Sequence, residues 1–480
     1  MSDAEIFIPP ESRLERQQIL RDFFIKEKEF SPLIKTENYE NAFLPELLSK
    51  KGYKLLLIPE IEEGDFKLVG TTTIVAALVD MNTGKILNIA SDYNGQIIYG
   101  EEVLSRVEFA RTRKDGIEIL QKAVIDSINK LIDNLLQGYS SSNRIYDIVV
   151  AGNTLMTHFF LGKDVEYLFE SEIIKRESYK AKANNLGLKA NKNAEVCSLP
   201  SVSKFIGGDV VGGVLAAKIV DSGRISLFVD LGTNGEIILG SEGWIMSASV
   251  ASGPAFEGYE IKHGSRAVTG AIDHVWSENG EIKYSVIGNA KPRSICGSGL
   301  IDLLAELFKK GIVDFQGNLK ENPRVVSTTE KEFVIVEAEK SATEKPITLT
   351  QTDIDTLIKS KAAVCAGIAV LLKKAGVSIE DIEDFYIAGA FGYYLNVENA
   401  ITIGLFPEIK AKIRQIGNGS LVGAYLALNS NRKRELAETI AKIFSYFDLS
   451  TDADFIDEYR AALVLPGRQE LFPSIYARFA

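Results

Sequence analysis

The stretch SLFVDLGTNGEIILG, Ser226 to Gly240, decides the fold. Leu227 to Val229 is a short apolar run, the pattern of a fully buried strand. Asp230 follows, then Gly232, Thr233, Asn234 and Gly235. Asn-Gly between two β-type runs predicts a hairpin, because both central residues of such a turn take positive φ. A glycine-rich turn with a threonine hydroxyl exposes backbone N–H groups that can cradle phosphate oxygens. Asp230, at the mouth of the turn, is placed to hold a hydrated Mg²⁺ or to orient a water. An ordinary hairpin with one acidic residue would read the same way.

FKLVGTTTIVAALVDMNTGKIL, Phe66 to Leu87, repeats the plan. A strand leads into Gly70, Thr71, Thr72 and Thr73, a second strand follows, and a polar turn at Asn82 to Gly84 opens a third. Two such hairpins, each opening a half-chain, imply internal duplication. Facing each other, they would grip a polyphosphate from both sides.

At 480 residues the chain is too long for one ordinary domain, and two or three are expected. A net charge of −11 argues against a nucleic-acid partner, which needs a basic face. No apolar run is long enough to span a membrane, and the N-terminus lacks the apolar core of a secretory signal. A cytoplasmic protein is expected. Cys197, Cys296 and Cys365 are far apart with no C-x-x-C pair, and His158, His263 and His274 show no metal spacing. Neither a disulfide framework nor Cys/His metal ligation is expected.

Three stretches organise the chain: a charged N-terminal region at 1–64 with helical patterning, a first α/β half at 65–222 and a second at 223–480. Ile117, Leu120, Val124, Ile128, Leu131 and Leu135 recur at helical spacing, with Gly138 beyond the end. IYDIVVAG (145–152) reads as a buried strand running to a helix N-cap at Asn153 or Thr154. Residues 163–205 are polar and read as an exposed insertion. FIGGDVVGGVLAAKIV (205–220) reads as a helix using glycine for close approach, with Asp209 either a solvated helix-start acid, the preferred reading, or a site acid. Thr352 is the expected N-cap of a long helix ending at Gly376. Glycine-rich turns at Gly253, at Gly297, Ser298 and Gly299, at Gly389 and Gly392, and at Gly417 and Gly419 are candidate nucleotide contacts.

The two Gly-Thr loops resemble those of the acetate kinase, sugar kinase, Hsp70 and actin superfamily. VAGNTLMTHFFLG (150–162), ASGPAFEG (251–258), ICGSGLIDLLAEL (295–307), YIAGAFG (386–392) and IGNGSLVGA (416–424) narrow the resemblance to the reductive activators of corrinoid enzymes. YNGQIIYGEEVLSR (93–106), LTQTDIDTLIKSKAAVCAGI (349–368) and IPPESRLERQQIL (8–20) keep the same order. The resemblance implies an α/β fold of two RNase-H-like subdomains flanking a nucleotide cleft, behind a reduced linker-like region. It implies ATP and Mg²⁺ as cofactors, with Asp230 on Mg²⁺ or water. Gly70, Thr71, Thr72, Thr73, Gly232, Thr233, Asn234 and Gly235 would lie on the phosphates, and Gly389 and Gly392 beside the adenosine. It implies a corrinoid protein as partner, returned from Co(II) to Co(I). The ferredoxin-like [2Fe–2S] domain usual in such activators is expected to be absent, so electrons would come from a separate donor such as a ferredoxin; a homodimer stays open. Leu68 stands where the family pattern has aspartate in the first loop, which implies slow ATP hydrolysis. A small-metabolite phosphotransferase and a nucleotide-sensing regulator are the alternatives.

Overall fold

Two six-stranded sheets carry the chain, one in each half. The computed structural model describes residues 53–58, 73–100, 102–139, 141–170, 176–221, 223–232, 234–389, 392 and 394–479. The helical patterning of residues 1–50, Leu68, Gly70, Thr71, Thr72 and Thr233 lie outside them.

The first sheet contains β1 (Tyr53–Ile58), β2 (Thr73–Asp80), β3 (Ile86–Tyr93), β4 (Ile145–Val150), β5 (Lys180–Lys182) and β6 (Glu195–Ser198), in the order β3-β2-β1-β4-β6-β5. β7 (Ser226–Leu231), β8 (Asn234–Ser241) and β9 (Trp244–Ala251) open the second half. Two three-stranded sheets are inserted next: β10 (Ala271–Glu278), β11 (Glu281–Val286) and β12 (Ser294–Ile295), then β13 (Val325–Ser327), β14 (Lys331–Val336) and β15 (Ile347–Thr350). β16 (Asp384–Ala388), β17 (Lys412–Gly417) and β18 (Phe444–Phe447) return to complete the order β17-β16-β7-β8-β9-β18. In both sheets an antiparallel meander continues into two parallel strands. The same layout occurs twice, as duplication of an RNase-H-like unit requires.

Several strands arise where the sequence reading had none, and two of them, β1 and β6, lie inside the first sheet. Tyr53–Ile58 falls within the stretch read as linker-like, yet β1 pairs with both β2 and β4. Glu195–Ser198 falls within the stretch read as an insertion, yet β6 pairs in parallel with β4. Both are short strands set among polar residues, so periodicity had little length to act on.

The helices follow their apolar spacing more closely. α1 (Gly116–Leu135) buries Leu120, Val124, Ile128, Leu131 and Leu135, five of the residues that predicted it. α2 (Thr154–Leu161) is capped by Asn153, whose side chain accepts from the Met156 N–H at 2.8 Å. α3 (Gly208–Ala217) and α4 (Gly297–Lys309) begin at glycine-rich turns. α5 (Gln351–Ala375) is capped by Thr350, with Asp353 returning the bond, rather than by Thr352. Gly376 closes it in the left-handed conformation, where glycine avoids the Cβ clash.

α3 and α6 (Gly419–Asn429) lie between the sheets and join the halves through one core. That core takes Val75 and Val149 from the first sheet, Val210 and Val214 from α3, Phe228 and Ile238 from the second sheet, and Leu421 and Ala424 from α6. The two helices cross on glycine. A side chain at Gly423 would overlap the Gly212 backbone, and one at Gly213 would come within 2.6 Å of Phe228. Across the same interface Tyr425 donates to the Gly84 carbonyl at 2.6 Å, and Arg434 pairs with Asp147 at 2.5 Å.

Lys361, buried in α5, donates to the Val464 and Pro466 carbonyls at 2.6 and 2.7 Å, tying the C-terminal segment to the helix. Burial pushes its ammonium down to about 7. Between about 7 and the unfolded lysine value near 10.4, the unfolded chain binds a proton here that the folded chain does not. Its contribution to stability is therefore largest at high pH and is lost as pH falls toward 7. Melting temperatures measured across this window should climb with pH in the wild type relative to Lys361→Met. Parallel curves would show that Lys361 stays charged.

Candidate functional site

The site grows from the β7–β8 hairpin. β7 ends at Leu231, which pairs with Gly235, and the Gly232 N–H donates to the Asn234 carbonyl at 3.1 Å. Asn234 already begins β8, and neither Asn234 nor Gly235 has positive φ. The expected Asn-Gly pair therefore belongs to the strand rather than to the turn. Gly235 is needed for space instead: a Cβ there would sit 3.2 Å from Val250 and 3.4 Å from Val364.

Asp230 faces Glu236 directly across this hairpin, and Glu236 faces Ser249 on β9. Alternation puts Asp230 and Glu236 on the same sheet face as Phe228 and Ile238, toward α3. Asp209, in the first turn of α3, supplies a third carboxylate from the other half. It is 8% exposed rather than solvated as its helix-start position had implied, and its Oδ1 accepts from the Val210 N–H at 2.8 Å. Burial pushes the Asp230 carboxyl up to about 7, and the nearby Asp209 charge adds to this. Burial, then Asp230 and Asp209, push Glu236 well above the usual carboxylate range.

Like charges gathered in a low-dielectric cleft are costly until a cation joins them. A hard, all-oxygen donor set fits Mg²⁺. No three His, Cys, Asp or Glu side chains among the described residues form a cage of their own, so a Mg²⁺ here would complete its shell with phosphate oxygens and water.

The ends of β7, β16 and β17 bring in the glycines. Gly389 has φ +89°, and a Cβ there would overlap the Leu231 carbonyl and lie 3.0 Å from Asp230 Oδ1. Its N–H donates to the Gly417 carbonyl at 3.0 Å. Gly419 opens α6 behind the Asn418 cap, whose side chain accepts from the Leu421 N–H at 2.7 Å. Ser252 Oγ donates to the Gly232 carbonyl at 3.0 Å and fixes the following Gly253 beside the turn. Asp230, Gly232, Gly253, Gly389, Gly417 and Gly419 are thus assembled where parallel strands end, the usual crevice of an α/β sheet.

Other candidates take packing roles. Ser298 Oγ donates to the Asp273 carbonyl at 2.7 Å, and a Cβ on Gly299 would sit 2.5 Å from the Ile272 carbonyl. With Gly297, these residues are buried at the start of α4, beside β10. A Cβ on Gly392 would lie 2.7 Å from Ile387, and the Gly392 carbonyl accepts from Gln415. Asn234 is exposed at the turn, and Thr73 begins β2. Glu236 and Ser252 were missed in the sequence. A charged residue in the apolar run of β8, in phase with Ile238, was the available signal.

Comparisons with known proteins cover nearly all of the described chain. Residues 68–222 match the family described as the RACo middle region, and residues 224–476 match the C-terminal domain of RACo, the ASKHA domain. The chain is 34% identical over 406 residues to the corrinoid activation enzyme RamQ of Eubacterium limosum, covering 82% of this chain and 68% of the relative. It is 27% identical over 432 residues to the [Co(II) methylated amine-specific corrinoid protein] reductase of Methanosarcina barkeri, covering 82% and 75%. The solved structure of a reductive activator for corrinoid, iron-sulfur protein aligns at 39% identity with a TM-score of 0.76, over 89% of this chain and 68% of that one. Among the described residues, no helix is long and apolar enough to cross a membrane.

Proposed function

Because this chain belongs to the RACo family of reductive corrinoid activators, we propose that it binds ATP with Mg²⁺ and helps return a Co(II) corrinoid protein to Co(I). The electron comes from a separate donor such as a ferredoxin. The Asp209–Asp230–Glu236 cluster, set where two RNase-H-like halves meet, supports this most directly. Asp230 holds the ion or orients a water, while Asp209 and Glu236 complete the acidic wall. Gly70, Thr71, Thr72, Thr73, Gly232, Thr233, Asn234 and Gly235 are assigned to the phosphates by the family resemblance, and Gly389 and Gly417 to the nucleoside. Bound Mg²⁺ neutralises charge on the phosphate oxygens.

Nucleotide contacts made by both halves favour the closed arrangement by as much as they bind it better. Closure about the α3–α6 crossing then presents a different surface to the corrinoid protein. With Leu68 in the first loop, ATP turnover is slow and the protein is a weak ATPase. A phosphotransferase or a purely regulatory role is not favoured, since the relatives are named for corrinoid activation and reduction. Visible spectroscopy of a Co(II) corrinoid protein mixed with this protein and a reductant, with and without ATP, tests the proposal.

A further inference from the structure

The loop at 251–266 belongs to the second half and leaves β9 at Ala251, which pairs with Asn234 of the phosphate turn. Ser252 ties its start to Gly232, as described. Gly258 has φ +81° and packs against the Ser265 backbone, while Gly264 packs back onto the Gly258 carbonyl. A side chain at either glycine would collide with backbone, so the two ends of 258–265 are pressed together. This brings Arg266 beside Tyr259, with the guanidinium carbon 5.7 Å from the ring centroid.

The Arg266 amino group Nη2 is closed off from solvent and has no hydrogen-bond partner among the described residues. Such a group costs free energy until an acceptor arrives. The neighbourhood spans both halves. Burial pushes the Tyr259 phenol up, Arg266 pulls it down by its charge and by a hydrogen bond made through the rest of the guanidinium, and Glu257 and Tyr93 lie near enough to act on it. Tyr93 ends β3 in the first half and pairs with Thr73, where the first phosphate loop ends. The loop that carries Arg266 is thus anchored at Gly232 and reaches the end of β3 in the first half.

Strand order gives the direction of a bound nucleotide. Gly389 and Gly417, the glycines assigned to the nucleoside, follow β16 and end β17, on one side of β7; the loop after β9 lies on the other side. A nucleotide lying across the β7–β8 turn would carry its outermost phosphate toward 251–266. A guanidinium fork matches phosphate oxygens in two parallel hydrogen bonds.

We infer that Arg266 contacts the terminal phosphate of a bound nucleoside triphosphate and so distinguishes triphosphate from diphosphate. This rests on the nucleotide reading of the cleft. Titration calorimetry of wild type, Arg266→Gln and Arg266→Lys with Mg²⁺ plus ATP or ADP tests it, with melting curves to check folding. Arg266→Gln should lose roughly tenfold to a hundredfold in ATP affinity, the loss of a charge-assisted contact, while ADP affinity changes little. Arg266→Lys keeps the charge without the fork and should fall between. A wild-type protein that binds neither nucleotide overturns the cleft reading itself. Wild-type binding with an ATP-to-ADP ratio unchanged in Arg266→Gln overturns the role of Arg266 alone. If the glutamine variant does not fold, an unchanged ratio in Arg266→Lys has the same force.

Discussion

Asp230→Asn is expected to remove most Mg²⁺-dependent ATP binding and nearly all ATP-driven corrinoid reduction. Asparagine keeps the shape of the residue but not its charge. One charge-assisted contact to a metal or phosphate shell is worth about 1.5–3 kcal/mol, so affinity should fall roughly tenfold to a hundredfold. Losing a residue that orients the reacting water costs a further factor of about 10²–10⁴ in turnover. The nucleotide-free protein should respond in the opposite sense. A carboxyl raised to about 7 contributes stability at acid pH that is lost as pH rises from its unfolded value near 3.9 through 7. Above pH 7 the wild type carries the unfavourable buried charge and the variant does not. Asp230→Asn should therefore melt no lower than wild type at pH 8. Calorimetry and melting curves on the same samples check both halves. A variant that melts lower and binds ATP normally would make Asp230 a structural residue.

Gly423→Ala should cause the largest loss of stability. In an ordinary helix interior, Gly to Ala stabilises by about 1 kcal/mol. Here the new methyl would overlap the Gly212 backbone, and backbone cannot rotate aside as a side chain can. Overpacking costs about 1–3 kcal/mol, and more where two backbones must separate. The clash outweighs the propensity, and a fall in melting temperature of roughly 2–5 °C is expected. The crossing also joins the halves, so a surviving Gly423→Ala protein should couple nucleotide binding to corrinoid reduction poorly. A melting temperature at or above wild type would show that the helices do not cross as tightly as described.

The duplicated plan was legible because one pattern recurs: a strand-like run leads into Gly and Thr at Gly70 and again at Gly232. Long helices were legible for the same reason: α1 and α5 span many turns of a 3.6-residue period. Short strands were not. β1 and β6 have six and four residues set among polar neighbours, and only the pairing partners supplied by the fold identify them. Glycines were ambiguous in a different way. Gly389 leaves room for the Leu231 carbonyl beside Asp230, just as Gly299 and Gly392 leave room for a neighbouring strand or side chain. One sequence cannot tell space reserved for a ligand from space already filled. Asp209 and Glu236 matter because the fold brings them to Asp230; Glu236 stood out as a charge in an apolar run, but its partners did not.

The central claim is that nucleotide in this cleft assists reduction of a corrinoid protein. Its most direct test is the visible spectrum of a Co(II) corrinoid protein mixed with this protein and a reducing electron donor, followed before and after MgATP is added. The account predicts that Co(I) appears only when protein, donor and MgATP are all present, and that Asp230→Asn does not support it. Co(I) formation at the same rate without ATP, or none with every component present, would contradict it.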